Sequence, residues 1–462
     1  MRGNIRTFLS WVATALSAIV MIGTCSQTAN GQSPLYYKLW NSPEVQQRIQ
    51  MGIETNRMGW LTLNFVDAQG KPLNHVQVDL KQITHDFKFG SDIFYLNGSS
   101  SPEINRRYKE AFVSLFNFAT APFYWSDLEP KPGVLRFGIN SPFVARRPPP
   151  DAVVAFCKKH GIAIKGHNLI WHAWYPKWLP KNQAQVTELM RERFRQIASR
   201  YGKSIRYWDV VNEPLHRPIN VILPKDYVYT AMQEAGRDFP ADDTLMVNET
   251  TSLWTDFHWE ESPFYLLVQS LLLRKARIDA LGLQFHIFSW QKYKDLLAGT
   301  FMTPEQLFRV IDQYSRLGLP LLISEITIPT LSTPQGEEEQ ATVVRNLYRL
   351  WFSCRNMEAI TWWNLADGTA YPRENRWKGG LLHKDMSPKP SFHVLYDLIH
   401  KQWSTSVQRN SGNSSEMMIH GFYGEFSLTA SHAGKTVTET IHLRKTGEGV
   451  SDSVNHFTIE FH

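Results

Sequence analysis

The central part of the chain alternates short apolar runs with longer segments whose apolar residues recur every three or four positions. Runs of this length suit buried strands, and the three-to-four spacing is typical of amphipathic helices. A helical segment follows each run. We expect strands at residues 87–93, 116–120, 164–169, 207–212, 245–248, 280–285, 321–325 and 360–364.

Eight strand–helix pairs in strict alternation predict an α/β fold in which helices connect parallel strands. The (β/α)8 TIM barrel contains eight such units. A doubly wound open sheet is the alternative, but it usually carries a glycine-rich phosphate-binding loop after its first strand. No such loop follows residues 87–93, so the pattern favours the barrel.

Both flanks of this region show the two-residue alternation of half-buried strands. In the N-terminal flank it occupies residues 60–65 and 76–80, on either side of the turn-forming run 68–72, and predicts a hairpin. In the C-terminal flank it returns at 424–429, 436–443 and 456–461. Neither flank has enough strands for a stable sandwich alone, so we expect one accessory β-sandwich built from both. A dispensable C-terminal carbohydrate-binding module is the alternative.

These patterns divide the chain into segments. Arg2 and Arg6 before an apolar run, with small residues up to Gly31, indicate a signal peptide. The protein is therefore expected to be secreted or periplasmic and to have no membrane partner after cleavage, although Cys25 leaves a lipoprotein open. The expected boundaries are 1–31 for the signal peptide, 32–85 for the N-terminal β-strand segment, 86–403 for the barrel, 404–415 for a linker and 416–462 for the C-terminal β-strand segment.

Charge and composition narrow the possible partners. The net charge of +6 is spread along the chain, which argues against a nucleic-acid partner. The aromatic content of 13%, with 16 Trp, suits either sugar stacking or a well-packed barrel. Cys157 and Cys354 lie in apolar helical segments and are expected to be buried free thiols. Neither a metal nor another cofactor is expected, and the protein is expected to be a monomer.

Polar residues at the C-terminal ends of the strands are the candidates for chemistry, because all these ends open on one face of a barrel. Glu213 ends the fourth strand and Glu325 the seventh. A glycosidase needs two such carboxyl groups, one to protonate the leaving oxygen and one to attack or stabilise the anomeric carbon. Other titratable residues near strand ends lack the i, i+4 pattern of a helical zinc site, namely His167, His172, His216 and Asp209.

The run Trp208-Asp209-Val210-Val211-Asn212-Glu213 resembles the acid/base motif of glycoside hydrolase family 10, the retaining endo-β-1,4-xylanases. Ser324-Glu325-Ile326-Thr327-Ile328 is similar to the nucleophile strand of that family. The resemblance covers about residues 87–403. It implies Glu213 as acid/base, Glu325 as nucleophile, Asn212 as the amide that contacts the sugar 2-hydroxyl, and a polysaccharide or oligosaccharide as substrate.

Further matches imply residues that line the cleavage subsite. The family pattern Gly-His-x-Leu-x-Trp-His is similar to residues 166–172, and its Gln-x-His is found at 284–286. The implied substrate-binding residues are His167, Trp171, Asn212, Gln284, His286, Trp363 and Tyr371, the last where a second Trp is common. The His equivalent to His286 would hydrogen-bond the nucleophile, and a neutral imidazole there would keep Glu325 ionised.

Three positions depart from the family pattern. Thr120-Ala121-Pro122-Phe123-Tyr124-Trp125 stands where the family usually has Glu-Asn-x-x-Lys-Trp, so the polar clamp on the neighbouring sugar is missing. Trp174 replaces a common Gln, and Thr327 a common Asp. Catalysis is expected to be kept and substrate selection to differ. The sequence predicts a retaining endo-1,4-β-xylanase. A β-glycosidase acting on another glycan or glycoconjugate and a non-catalytic carbohydrate-binding barrel are the alternatives.

Overall fold

The computed structural model describes residues 32–216, 222–447 and 451–462. The predicted signal peptide at 1–31, with Cys25, lies outside the described residues. The described strands form one closed barrel and two smaller sheets. No helix in the described ranges is long and apolar enough to cross a membrane.

Two helices open the described chain, in a segment for which the sequence predicts strands. They are α1 (Pro34–Trp40) and α2 (Pro43–Arg57), and β1 (Met58–Asp67) and β2 (Gln77–Gln82) follow. Each helix has a serine N-cap followed by proline, which supplies the acceptor for a free backbone N–H and fixes the first helical φ. This capping signal is present in the sequence at both positions, and the strand prediction overlooked it.

Eight parallel strands form the barrel in chain order, and the last pairs with the first. They agree with the predicted strands within a few residues and confirm the barrel over the doubly wound sheet. The strands are β3 (Lys88–Asp92), β4 (Phe118–Pro122), β5 (Ala163–Trp171), β6 (Tyr207–Asn212), β7 (Thr244–Glu249), β8 (Ala280–His286), β9 (Leu321–Thr327) and β10 (Met357–Trp362).

Helices follow the barrel strands, and several begin at clear capping residues. Thr303 and Gln306, for example, form a capping box. In the same helical layer, Cys157 and Cys354 are buried free thiols, as predicted. Short helices α4, α8 and α10 lie in loops on the side of the barrel where the strands end. The helices are α3 (Pro102–Leu115), α4 (Trp125–Leu128), α5 (Pro150–Lys159), α6 (Gln183–Tyr201), α7 (Tyr227–Asp238), α8 (Ser252–Thr255), α9 (Pro263–Leu273), α10 (Trp290–Ala298), α11 (Pro304–Ser315), α12 (Gly336–Ser353) and α13 (Pro390–Asp397).

The barrel interior changes from apolar to polar along its strands. Near the strand starts, Phe118, Met246, Ala280, Leu322 and Ala359 form a buried apolar cluster. Near the strand ends the buried side chains are carboxyl, amide and imidazole groups. Burying such groups is costly unless they are hydrogen-bonded, so this end of the barrel is where function is expected.

The N- and C-terminal strands together form the accessory β-sandwich, as predicted. One sheet has the order β12-β1-β15 and the other β11-β2-β13-β14. Leu63 and Leu80 from the N-terminal strands and Leu428 and Ile459 from the C-terminal strands belong to one buried cluster. The C-terminal strands are β11 (Ser406–Asn410), β12 (Glu416–Phe422), β13 (Gly424–His432), β14 (Lys435–Leu443) and β15 (His456–Phe461).

The predicted N-terminal hairpin is wrong, because β1 and β2 lie in different sheets. The turn itself forms, with Gly70 N donating to Asp67 O at 2.9 Å. The chain then crosses to the other sheet, where His75 N donates to Gly412 O and β2 pairs with β11. β11 occupies part of the range 404–415, for which the sequence predicts a linker. Two-residue periodicity identifies a strand and its buried face, but it does not identify the strand beside it.

Candidate active site

A cleft of about 580 Å³ opens where the barrel strands end. Its walls come from the ends of β4 to β10 and from the loops that follow them. All the residues that the sequence analysis selected line this cleft: His167, Trp171, Asn212, Glu213, Gln284, His286, Glu325, Trp363 and Tyr371.

Glu213 directly follows β6 in an unusual backbone conformation. Its φ is +52°, in the left-handed region that costs energy for a residue with a Cβ. Its backbone N–H donates to Asn248 O at 2.7 Å, which holds this conformation against β7. Gln284 Nε2 donates to Glu213 Oε1 at 3.0 Å. The carboxyl group is thereby fixed at the floor of the cleft.

Glu325, near the end of β9, is surrounded by donors. Asn248 Nδ2 donates to Oε1 at 2.8 Å, and His286 Nε2 lies 3.2 Å from Oε2. His167 Nδ1 lies 3.9 Å from Oε1. Hydrogen bonds to both carboxyl oxygens favour the ionised form.

His286 is the imidazole that the resemblance places beside the nucleophile, and the contact is present. Burial lowers the pKa of His286 to about 4, so the ring is neutral near pH 7. Its Nδ1 lies 2.9 Å from Thr327 Oγ1. Since a neutral ring has one donor nitrogen, these contacts fit a tautomer in which Nε2 donates to Glu325 and Nδ1 accepts from the threonine hydroxyl.

Burial raises the pKa of both carboxyl groups, each to about 7. The charge of Glu325 raises the pKa of Glu213 further, whereas His167 and Lys165 counteract the effect of burial on Glu325. Both carboxyl groups therefore titrate near neutral pH, and the donors and positive charges around Glu325 favour the proton on Glu213. A pair of carboxyl groups in opposite protonation states is what general acid catalysis with a carboxylate partner requires.

Two buried charged side chains, those of Lys165 and Asp209, lie beneath the His167 ring. Lys165 Nζ lies 3.0 Å from Asp209 Oδ2, and the same oxygen lies 2.7 Å from His167 Nδ1. Burial acts to raise the pKa of Asp209, but Lys165 and the hydrogen bond to His167 outweigh it and the pKa is lowered. Asp209 is therefore a fixed anion that orients the His167 ring. Among the described residues, no group of three or more His, Cys, Asp or Glu side chains is arranged to hold a metal ion.

Asn212 is oriented by a second amide. Asn248 Nδ2 donates to Asn212 Oδ1 at 2.8 Å, so the oxygen of Asn212 is engaged and its amide nitrogen is the group left for a ligand. Ser324 Oγ in turn donates to Asn248 Oδ1 at 2.5 Å. Asn248 thus connects β6, which directly precedes Glu213, to β9, which carries Glu325.

Aromatic rings form one wall of the cleft. Trp171 and Trp174 are stacked with ring centroids 5.3 Å apart and an angle of 9° between the planes. Tyr371 meets Trp174 edge to face at 5.8 Å and is 40% exposed. The Trp363 ring lies 5.4 Å from the His167 ring. Flat aromatic faces of this kind suit the apolar faces of sugar rings.

The opposite end of the cleft lies beyond Glu213 and has a different character. It is lined by Thr250, Ser252, Phe288 and Lys292 from the loops after β7 and β8. His216 lies at this end, and its hydrogen bond with Glu249 raises the pKa of the imidazole. The two carboxyl groups therefore divide the rim into two parts, one formed by β7 and β8 and the other by β10, β3, β4 and β5.

The model of the family described as Glycosyl hydrolase family 10 matches residues 114–398, which is more than half of the chain. The chain belongs to glycosyl hydrolase family 10. The matched range holds both candidate carboxyl groups and most of the barrel.

The chain is also similar to individual proteins. The anti-sigma-I factor RsgI6 of Acetivibrio thermocellus is 23% identical over 380 residues, which cover 81% of this chain and 45% of that protein. The endo-1,4-beta-xylanase A of Caldicellulosiruptor saccharolyticus is 26% identical over 276 residues, covering 53% of this chain and 76% of the relative. The chain thus spans less than half the length of the anti-sigma factor.

Solved structures show the same fold. Xylanase 10B from Thermotoga maritima superposes with a TM-score of 0.56 at 19% identity, over 69% of this chain and 96% of that one. Xylanase 10B from Thermotoga petrophila, in complex with xylobiose, gives a TM-score of 0.57 at 19% identity, over 69% and 95%. At this identity the superposition establishes the fold alone.

Several residues of the cleft were missed by the sequence analysis. Asn248 lies beneath the cleft lining and is the last residue of the predicted strand 245–248, so the strand-end rule that selected Glu213 would have found it. Arg146 and Glu374 lie on irregular loops, where no periodicity indicates which side chain points inward. Tyr124, seen in the sequence as a departure from the family 10 pattern, forms part of the cleft wall.

Proposed function

We propose that this protein is a retaining glycoside hydrolase that cleaves β-1,4-linked polysaccharide of the xylan type within the chain. One observation carries the proposal. Glu325 is buried and Glu213 is half-buried in the same cleft, and their unequal surroundings favour the proton on Glu213 and the negative charge on Glu325. Such a pair supplies an acid and a nucleophile at neutral pH.

In the first step a Glu325 oxygen attacks the anomeric carbon and forms a glycosyl ester. Glu213 gives its proton to the glycosidic oxygen, and the C–O bond breaks as the leaving chain departs as an alcohol. The Asn212 amide, oriented by Asn248, is placed to bind the 2-hydroxyl of the attacked sugar. His286 holds Glu325 in position before attack.

In the second step the ionised Glu213 takes a proton from a water molecule. The resulting hydroxide attacks the anomeric carbon, and Glu325 leaves as a carboxylate. Both residues return to their starting states, and two inversions give net retention. This scheme needs a separation of about 5–5.5 Å between the two carboxyl groups.

The open, aromatic cleft supports a polymer as substrate, since parts of its rim extend on both sides of the carboxyl pair. Several family 10 relatives are named endo-1,4-beta-xylanases, which supports xylan in particular. Secretion, supported by the N-terminal sequence, would bring the enzyme to such a substrate. We propose that it acts there as a monomer.

The test is hydrolysis of xylans, β-glucans and aryl β-glycosides by the mature protein, with NMR of the first-formed anomer. Retention with xylan preference supports the proposal, and an inverted product contradicts the mechanism. Glu325→Ala should abolish all turnover. Glu213→Ala should spare aryl glycosides with good leaving groups, which depart without a proton. Equal losses on activated and unactivated substrates would show that Glu213 is not the acid.

A second candidate function is carbohydrate binding without turnover. The missing polar clamp, with Thr120, Ala121 and Tyr124 in place of Glu, Asn and Lys, favours this alternative. The same substrate panel decides between the two: a protein that binds xylo-oligosaccharides and hydrolyses none of the panel is a binding barrel.

A further inference from the structure

The loop between β4 and α5 brings two arginines to the cleft. Arg146 and Arg147 both line it, although the loop has no regular structure over most of its length. They occupy the part of the rim formed by β10, β3, β4 and β5, on the same side as Trp363 and Tyr124. The resemblance to family 10 implies that Trp363 lines the cleavage subsite, so we take this side to receive the glycone part of the substrate.

Arg147 already has its electrostatic partner. Its Nε lies 2.7 Å from Asp127 Oδ2, and its guanidinium carbon lies 3.9 Å from the centre of the Tyr124 ring. The side chain is buried, so it supports the wall of the cleft. Tyr124 and Arg147 together fill the region where family 10 usually has a polar sugar clamp.

Arg146 has a different environment, because its hydrogen-bond acceptors are neutral. Nη1 donates to Asn364 Oδ1 at 2.5 Å and also to the backbone oxygen of Thr369. Nε is buried without an acceptor. Among the residues that the structure describes, Nη2 has no acceptor, and no carboxylate lies within 4.0 Å of the guanidinium nitrogens. Arg146 is thus a half-buried cation without a close ion pair among the described residues. Its charge counteracts the rise that burial causes in the pKa of Asp92, and its guanidinium carbon lies 5.5 Å from the centre of the Phe94 ring.

Two acidic groups lie near Arg146, but both accept hydrogen bonds from Asn364 and not from the guanidinium group. Glu374 Oε2 accepts from Asn364 Nδ2 at 3.2 Å, so Asn364 separates the two charges. Asp92 Oδ2 accepts from the backbone N–H of Asn364 at 3.0 Å. Both contacts fix Asn364, which holds Nη1 of Arg146 in place. Nη2 is the guanidinium nitrogen left for a ligand, and an anionic group can accept a charge-assisted hydrogen bond from it.

We infer that Arg146 is a specificity residue that binds an anionic substituent, a carboxylate or a sulfate ester, on the glycone part of the substrate. The inference rests on the proposed function, because the glycone side is defined by the roles of Glu213 and Glu325. It changes the expected substrate from neutral xylan to a chain that carries acidic side groups. A neutral chain loses this interaction and leaves Nη2 of Arg146 without an anionic acceptor.

The experiment measures binding in the Glu213→Gln background, where ligands are not turned over. The ligands are xylotriose, xylotriose with a glucuronic acid branch on its non-reducing-end residue, and xylotriose sulfated on that residue. Calorimetry should show the best anionic ligand binding about tenfold or more tightly than xylotriose, with a preference that weakens as salt is raised. The carboxylate and sulfate ligands show which anion fits.

Matched variants separate local recognition from net charge. Arg146→Gln should remove the preference, and Arg146→Lys should restore part of it. Glu374→Gln, which removes a nearby negative charge, should strengthen it. Arg195→Gln removes a positive charge from an exposed site on α6 and should leave the preference unchanged. Unfolding midpoints of all variants check the fold.

The experiment distinguishes a failure of the inference about Arg146 from a failure of the proposed function. If xylotriose binds and xylan is hydrolysed, but the anionic ligands bind no better or Arg146→Gln keeps their advantage, the inference about Arg146 is wrong and the proposed function stands. If none of the three ligands binds and xylan is not hydrolysed, both are overturned.

Discussion

The Nδ2 atom of Asn248 lies 2.8 Å from Oε1 of Glu325, and this hydrogen bond connects the fifth barrel strand to the seventh. The same nitrogen donates to Asn212, so one amide positions both the proposed nucleophile and the residue proposed to bind the 2-hydroxyl. Gly282 on β8 leaves the space for this amide. A Cβ at position 282 would lie 2.3 Å from Asn248 Oδ1.

Gly282→Ala should therefore impair catalysis without touching substrate. The added methyl group displaces Asn248, and we expect kcat to fall roughly 10–100-fold with a smaller change in KM. Kinetics on an aryl glycoside and on xylan measure the effect. Gly138→Ala is the control, since a Cβ there meets no atom within 4 Å. Unchanged kcat in Gly282→Ala would show that the position of Asn248 does not matter.

Glu325→Gln should stabilise the fold at alkaline pH. Burial raises the pKa of Glu325 to about 7, so between about 4.5 and 7 the folded protein holds a proton that the unfolded chain releases. The contribution of this group to the free energy of unfolding is therefore greatest below about pH 4.5, and it is lost as the pH rises through about 7. Removing the charge should recover on the order of 1–3 kcal/mol at pH above 7.

Calorimetric unfolding at acidic and alkaline pH checks this prediction. Glu325→Gln should unfold at a higher temperature than the parent at alkaline pH, and the two should converge at acid pH. Glu192→Gln, at an exposed site on α6, should match the parent at both. An alkaline stability of Glu325→Gln below that of the parent would mean that the charge is stabilising.

Thr327 should control the protonation of His286. Its hydroxyl can donate to Nδ1 of a neutral ring, whereas an aspartate would accept from Nδ1 and favour the imidazolium. Thr327→Asp should raise the pKa of His286 and lower that of Glu325. We expect the acid limb of the kcat/KM profile to move to lower pH by about one unit.

The matched variants for this position are Thr327→Ser and Thr327→Val. Serine keeps the hydroxyl and should keep the parental profile, whereas valine removes it and should lower kcat/KM. An acid limb that stays in place in Thr327→Asp would show that His286 does not couple to the titration of Glu325.

Removing the residues after Trp403 should destabilise the N-terminal strands. The deletion takes away every partner strand of β1 and β2 and exposes the buried Leu61 and Leu63. We expect a lower melting temperature and rapid proteolysis of β1. As a milder test, Leu428→Ala should cost about 2–5 kcal/mol in the sandwich, with Thr429→Ala on the same strand as control. A chain ending at Trp403 with unchanged melting temperature and activity would instead support a dispensable module.

Barrel topology explains why the sequence was informative about the carboxyl pair. Once eight strands were recognised, Glu213 and Glu325 had to share one rim, although 325 − 213 = 112 residues separate them. The same rule would have found Asn248. Side chains that belong to strand ends are therefore accessible to pattern reasoning.

Residues on long loops are not accessible in this way. The inward position of Arg146 depends on Asn364 and Thr369, which are more than two hundred residues away. The pairing of β1 with β12 and of β2 with β11 depends on which strands meet across the sandwich. Local sequence patterns do not indicate which distant residues are in contact, and only the folded structure shows these contacts.

The division of the sandwich between the two ends of the chain has a consequence for synthesis. Leu63 on β1 pairs with Met417 on β12, so 417 − 63 = 354 residues separate them. At about 5–20 residues per second, the ribosome makes the second strand roughly 20–70 s after the first. During that interval β1 has no partner strand and its apolar face is exposed. An exposed apolar strand of this kind can associate with other chains, so slowing synthesis should increase aggregation of the newly made chain.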